Sequence, residues 1–244
     1  MFTDAFLIEF GRKVMNILKS IKDLTIYERV IWISSLILIL TSFVLFESSD
    51  YLTVIASLVG ATALIFVGKG DAIGQLLTIV FALLYAIISF GFRYYGEMLT
   101  YLAMTAPSAL VAMINWLRHP YTKREVAVSK IQGKQWFFLM ISAVVVTIIL
   151  GFILSELGTT NLMFSTLSVT TSYLASMLTI FRSRYYAIAY ALNDIILIIL
   201  WILATMENIN YMPMIICFII FLVNDTYGYI HWKVMEERQQ KDRI

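Results

Sequence analysis

This 244-residue sequence predicts an all-α integral membrane protein of eight transmembrane helices, arranged as two parallel three-helix repeats (3+1+3) plus an N-terminal helix. Three observations predict it: eight apolar stretches of spanning length, a one-sided distribution of Lys and Arg, and an internal correspondence between two groups of spans. The stretches run at about 30–46, 51–68, 72–92, 97–117, 136–155, 160–181, 185–206 and 211–232. Each is near the ~17–25 residues that a helix needs to cross a bilayer. Composition agrees, with 60% hydrophobic and only 14% charged residues, which does not describe a soluble domain of this length.

With the N-terminus in the cytoplasm, all but Arg93 of the 18 Lys and Arg residues fall on one side. Arg12, Lys13, Lys19, Lys22 and Arg29 precede the first span, and Lys69 follows the second. Arg118, Lys123, Arg124, Lys130 and Lys134 follow the fourth, and Arg182 and Arg184 the sixth. Lys233, Arg238, Lys241 and Arg243 close the chain. The opposite side receives Arg93 with Glu47, Asp50, Glu97, Glu156 and Glu207. A wrong number of spans would scramble this positive-inside partition.

Residues 1–29 carry Phe6, Leu7, Phe10, Val14, Ile17, Leu18, Ile21 and Leu24 at near-helical spacing, with basic residues between them. They read as an amphipathic segment on the cytoplasmic leaflet; a partly disordered tail is the plainer alternative. No cleavable signal peptide is expected. A single transmembrane domain follows over 30–232, and 233–244 form a cytoplasmic tail. Cys217 is the one cysteine and lies in the last span, so neither a disulfide framework nor a thiolate metal cluster is expected.

Shifting the chain by 116 residues lays Tyr85 on Trp201, Tyr95 on Tyr211, Met98 on Met214 and Trp116 on Trp232. The same shift lays Lys69 on Tyr185. Repeat one then covers about 51–117, a linker helix about 136–155, and repeat two about 160–232. Three helices plus one make an even step, so both copies enter the membrane in the same direction. Parallel repeats of this kind occur in transporters, with the substrate between the copies near the midplane.

Two acids lie deep in the predicted spans, Asp194 and Asp225, and each follows an asparagine, Asn193 and Asn224. A central Asp costs about 2.5–3.5 kcal/mol on insertion scales, so such groups face a cavity or a partner. Counting from Tyr185 and Trp232, both pairs sit about 12 Å from the cytoplasmic surface at 1.5 Å per residue. Two readings stand: the pairs line a polar site, or they bond to each other and glue two helices. Tyr186, Tyr190, Asn193, Leu197 and Trp201 form one helical stripe. Rings beside amides and carboxylates suit an aromatic ligand with polar substituents, although a chain with 14% aromatic residues places some stripe on any helix.

Several functions are excluded by what the sequence lacks. It has no Walker-type phosphate loop, nucleophile elbow or HExxH zinc motif, and no span carries spaced arginines. No enzyme, metal or cofactor is expected. No basic face for nucleic acid exists beyond the cytoplasmic loops.

Gly68-Lys-Gly70, Leu84-Tyr85, Tyr94-Tyr-Gly-Glu-Met98, Pro107 and Trp116, followed by Asn193, Tyr211, Gly228 and Trp232, resemble the PnuC family of vitamin transporters across spans 2–8. The resemblance implies a fold related to SWEET sugar transporters, a homotrimer and a bacterial inner-membrane location. It implies facilitated diffusion of nicotinamide riboside or a related vitamin precursor, made one-way by a cytosolic kinase. Asn193 matches the family's substrate-binding Asn. Tyr186 and Ala189 stand where the family commonly has tryptophans, and Ala109 where it often has glutamine. Related proteins carry thiamine, riboflavin or deoxyribonucleosides.

The expected site is therefore Tyr186 and Tyr190 stacking on the substrate, Asn193 bonding it, and Asp194, Asn224, Asp225 and Trp201 completing the wall. A non-transporting, substrate-binding membrane subunit is the competing class.

Overall fold

The structure is a computed structural model that describes residues 17–46, 50–122 and 124–242, with the side chains of 17–19 left out. The expected apolar positions from Phe6 to Val14, together with Arg12, Lys13, Glu47, Lys123 and Arg243, lie outside the described residues. Among the described residues nine α-helical elements follow one another: α1 (Ile17–Lys22), α2 (Ile26–Leu45), α3 (Tyr51–Gly68), α4 (Ala72–Gly91) and α5 (Tyr95–Arg118). Then come α6 (Gly133–Glu156), α7 (Leu162–Ile180), α8 (Tyr186–Glu207) and α9 (Met212–Lys241).

Among the described residues, seven of the eight long helices are long and apolar enough to cross a membrane. The exception is α7. It has 19 residues, but Ser165, Ser168, Thr170, Thr171, Ser172, Ser176 and Thr179 dilute its hydropathy. Ser165, Ser168, Ser172, Ser176 and Thr179 are all buried on one face, so its polar stripe points inward.

Local chemistry fixes the helix starts. Thr25 and Glu28 form a reciprocal capping box at α2, Asp50 accepts from Leu52 and Thr53 N–H at α3, and Asp71 accepts from Ile73 N–H at α4. These side chains satisfy amide donors that a helix leaves free in its first turn. Gly70 ends the α3–α4 turn at φ 74°, a backbone conformation that side chains disfavour. Within α5, Thr100–Thr105 widen into a π-helical turn. Pro107 lies just beyond it; a ring without an N–H that crowds the carbonyl four residues back accounts for the widening.

Helices α3–α5 pack as one group and α7–α9 as another, joined where α3 meets α9 and where α5 meets α7. Helix α6 packs on α7 and exposes most of its surface, including Phe137, Phe138, Val144, Ile148 and Phe152. Helix α2 rests on α3 and α9. Connections rich in Lys and Arg gather at one end of the bundle, the basic end. There Lys69 pairs with the buried Glu28 at 3.3 Å, and Arg184 with Glu236 at 3.4 Å.

Two details add to the sequence reading. Helix α9 continues through Lys241, so most of the expected tail is helical. Its extension holds the 119–130 connection: Gln239 accepts from Val128 N–H at 2.8 Å and donates to Val126 O at 3.0 Å, and Arg238 pairs with Glu125. The described end of the 1–29 segment packs on protein, with Leu24 buried against Ile65, Phe66 and Ile73. Ser20 donates to Asp71 at 3.3 Å.

Candidate functional site

Between the two helix groups lies a cavity of about 40 Å³, walled by Gly60, Gln75, Phe81, Tyr101, Thr105, Tyr190, Asp194, Phe221 and Asp225 among others. Its walls come from α3, α4, α5, α8 and α9. The volume admits a few waters and falls well below the ~300–1,000 Å³ of ordinary ligand pockets. So small a space has no room for a nucleoside-sized ligand.

Asp194 and Asp225 project into this space from neighbouring helices, each buried to 4% exposure. The two carboxyl groups line the same small cavity, and Asp194 Oδ2 has no hydrogen-bond partner. No Lys, Arg or His is among the lining residues. A pair of like charges in a low-dielectric space is costly unless a cation or proton stands beside it.

Gly60 makes room for the rings. A Cβ there would lie 2.4 Å from Phe221 Cζ and 2.9 Å from Phe81 Cδ2. Phe81 in turn packs against Tyr101 at 5.7 Å and Phe221 at 5.4 Å between ring centres.

Aromatic columns run from the cavity toward both ends. Toward the end opposite the basic one, Tyr85 stacks on Phe81 at 5.5 Å and meets Tyr101 at 4.5 Å. Trp201 donates its indole N–H to Tyr85 Oη at 2.9 Å. Phe92 packs on Trp201 at 4.8 Å and on Tyr211 at 4.7 Å. Toward the basic end, Tyr190 meets Tyr186, Tyr186 meets Trp232 at 4.9 Å, and Trp232 meets Trp116 at 5.3 Å.

The seven expected site residues thus divide. Asp194, Asp225 and Tyr190 line the cavity. Tyr186 lies one layer away, between Tyr190 and Trp232, and Trp201 lies in the opposite column. The asparagines turn aside. Asn193 Oδ1 accepts from Ser168, Thr171 and Ser172 hydroxyls at 3.1, 2.9 and 3.0 Å, tying α8 to α7. Asn224 Nδ2 donates to Ser35 Oγ at 3.3 Å and Ile220 O at 2.8 Å, facing α2. Equal depth does not give equal direction, because each asparagine stands about 100° around its helix from the aspartate beside it.

Trp116 and Trp232, near the ends of two expected spans, are buried and touch each other. Glu97, expected at a surface, is fully buried. Phe81, Tyr101 and Thr105 went unnoticed in the sequence; the spacing Phe81-Tyr85 at i, i+4, together with the repeat match of Tyr85, was the available signal. Among the described residues no group of His, Cys, Asp or Glu could hold a metal ion.

Residues 50–234 match the family model described as nicotinamide mononucleotide transporter. The chain is 28% identical over 199 residues to the nicotinamide riboside transporter PnuC of Neisseria mucosa, over 79% of this chain and 76% of that one. It is 22% identical over 212 residues to the nicotinamide riboside transporter PnuC of Haemophilus influenzae, over 86% and 91% respectively. Among solved structures it is similar to the crystal structure of the vitamin B3 transporter PnuC. The TM-score is 0.78 at 28% identity, covering 88% of this chain and 94% of that one.

Proposed function

This chain belongs to the nicotinamide mononucleotide transporter family, and from that premise we propose that it takes up nicotinamide riboside, or a closely related vitamin precursor, across a bacterial inner membrane. The observation that carries the substrate is the carboxyl pair of Asp194 and Asp225 in a cavity walled by Phe81, Tyr101, Tyr190 and Phe221. A pyridinium ring offers the fixed positive charge such a pair wants and a flat face for the rings. A 5′-phosphate does not fit this chemistry, since no cationic side chain lines the space to meet it. The riboside is therefore favoured over the mononucleotide.

The amides expected to serve a neutral deoxyribonucleoside, Asn193 and Asn224, are bonded to α7 and α2, which leaves Gln75 as the amide lining the cavity. Thiamine carries a fixed charge too and remains the nearest competitor.

Alternating access in this reading comes from the two helix groups rocking about the cavity, in an eight-span 3+1+3 arrangement with parallel repeats. Contacts across the groups support it. Trp232 Nε1 donates to Val67 O at 3.0 Å, and Trp116 Nε1 donates to Thr179 O at 3.1 Å. Each tryptophan thus grips the end of the first helix in the other group. The turns after those helices share a positive φ, 74° at Gly70 and 57° at Arg182. Lys69 therefore corresponds to Phe181 rather than Tyr185: the shift is 112 in this turn and 116 farther along.

The charge asymmetry supports a cytoplasmic basic end with both termini inside. Transport is facilitated diffusion, with phosphorylation by a cytosolic kinase trapping the product, and the assembly is a homotrimer as the resemblance implies. Calorimetric titration of the purified protein with nicotinamide riboside, nicotinamide mononucleotide, thiamine, riboflavin and deoxyribonucleosides tests the substrate. The riboside binds most tightly in this reading; tighter binding of a neutral nucleoside or of the mononucleotide would refute it.

A further inference from the structure

Glu97 takes no part in the cavity, yet it is buried to 0% exposure in the first turn of α5. Ser165 Oγ donates to its Oε2 at 3.3 Å, and Oε1 has no hydrogen-bond partner. It forms no ion pair with a described residue. Nearby on α4 and α5, the buried hydroxyls of Ser89 and Thr100 also lack partners. A buried carboxylate with no cation beside it is held at a cost of kcal/mol order, and in a membrane protein it marks a path for something positive.

Its place in the fold says what passes. On one side, Phe92 and Tyr94, with the opposite charges of Arg93 and Glu207, line an open vestibule of about 600 Å³ at the end opposite the basic one. On the other, Tyr101 and Thr105 line the central cavity, one and two helical turns further along α5, or roughly 6 and 12 Å. Tyr94, Trp201 and Tyr85 stand at this level, with Tyr94 Oη donating to Leu200 O at 3.0 Å and Trp201 bonded to Tyr85. A lone carboxylate beside aromatic faces is the chemistry that recognises an organic cation.

We propose that Glu97, with the rings of Tyr85 and Trp201, forms an outer station for a cationic heteroaromatic ring on its way from the vestibule to the central cavity. This rests on the transport reading above and adds a second site to it. The substrate meets Glu97 as the Tyr85–Trp201 contact opens, and the carboxylate draws it through the aromatic layer. Its contribution is to the rate of arrival at the cavity, not to the affinity there.

The test compares wild type, Glu97→Gln and Glu97→Asp, purified and reconstituted in liposomes, by initial uptake of radiolabelled nicotinamide riboside. Calorimetric affinity and melting temperature are measured alongside. Glu97→Gln is expected to slow uptake about tenfold, in the range of electrostatic steering, while affinity and melting temperature stay near wild type. Glu97→Asp, with the charge kept one methylene shorter, is expected to recover most of the rate. Unchanged uptake in Glu97→Gln overturns the proposal, and so does a parallel fall in rate, affinity and melting temperature, which marks a structural role. If Glu97→Gln does not fold, a well-folded Glu97→Asp that loses uptake as severely also overturns it. A wild-type protein that moves no riboside would instead defeat the transport reading, and this station with it.

Discussion

Trp201 donates its indole N–H to the hydroxyl of Tyr85 at 2.9 Å, joining two residues 116 positions apart. The bond links α4 to α8 on the side of the cavity away from the basic end. Trp116 and Trp232, at the same interval in sequence, touch at 5.3 Å on the other side. A buried hydrogen bond contributes about 0.5–1.5 kcal/mol net, and orphaning one partner costs about 1–3 kcal/mol. Trp201→Phe and Tyr85→Phe are each expected to destabilise by that larger amount, and the double variant by less than the sum. Unfolding of the detergent-solubilised protein measures all three; strictly additive losses would mean the bond does not couple the helices.

Asp194→Asn and Asp225→Asn keep shape and remove charge. Each is expected to weaken binding of nicotinamide riboside by tenfold or more, about 1.4 kcal/mol, with folding retained. Removing one of two crowded like charges also relieves repulsion, so melting temperature should hold or rise. Calorimetry beside thermal unfolding separates the effects. Affinity unchanged in both variants would remove the pair from the substrate's surroundings.

Asn193→Ala tests a different role. With Oδ1 accepting three hydroxyls from α7, the amide is expected to act first on stability, with a loss of about 1–3 kcal/mol, and on uptake through the loosened α7–α8 contact. A variant with wild-type melting and no uptake would instead make Asn193 a direct substrate contact.

Gly60→Ala places a methyl 2.4 Å from Phe221 Cζ. The ring must move into the cavity or away from Phe81, at about 1–3 kcal/mol for overpacking. Reduced substrate affinity with a lowered melting temperature is the expected outcome; an unaffected variant would show the ring to be freely movable.

Much of the fold was legible because membrane physics writes it into composition. Long apolar runs and the sidedness of Lys and Arg marked the helices, and α7 falls short only because its serines face inward to Asn193 and Glu97. Depth was legible for Asp194 and Asp225, since residue counts from a span end convert directly into height. Direction was not: Asn193 and Asn224 share that height and face α7 and α2. Glu97 escaped because an acid near a span boundary looks like a loop residue until helix packing buries it. Tyr85 was marked by its match with Trp201, but no pattern in one chain shows that the matched residues touch.

Uptake of radiolabelled nicotinamide riboside into liposomes containing the purified protein alone, without ATP or a second protein, tests the central claim most directly. Accumulation to the external concentration and no further, with no chemical change in the riboside, is the predicted result. Binding without flux would contradict it and make the chain a substrate-binding subunit.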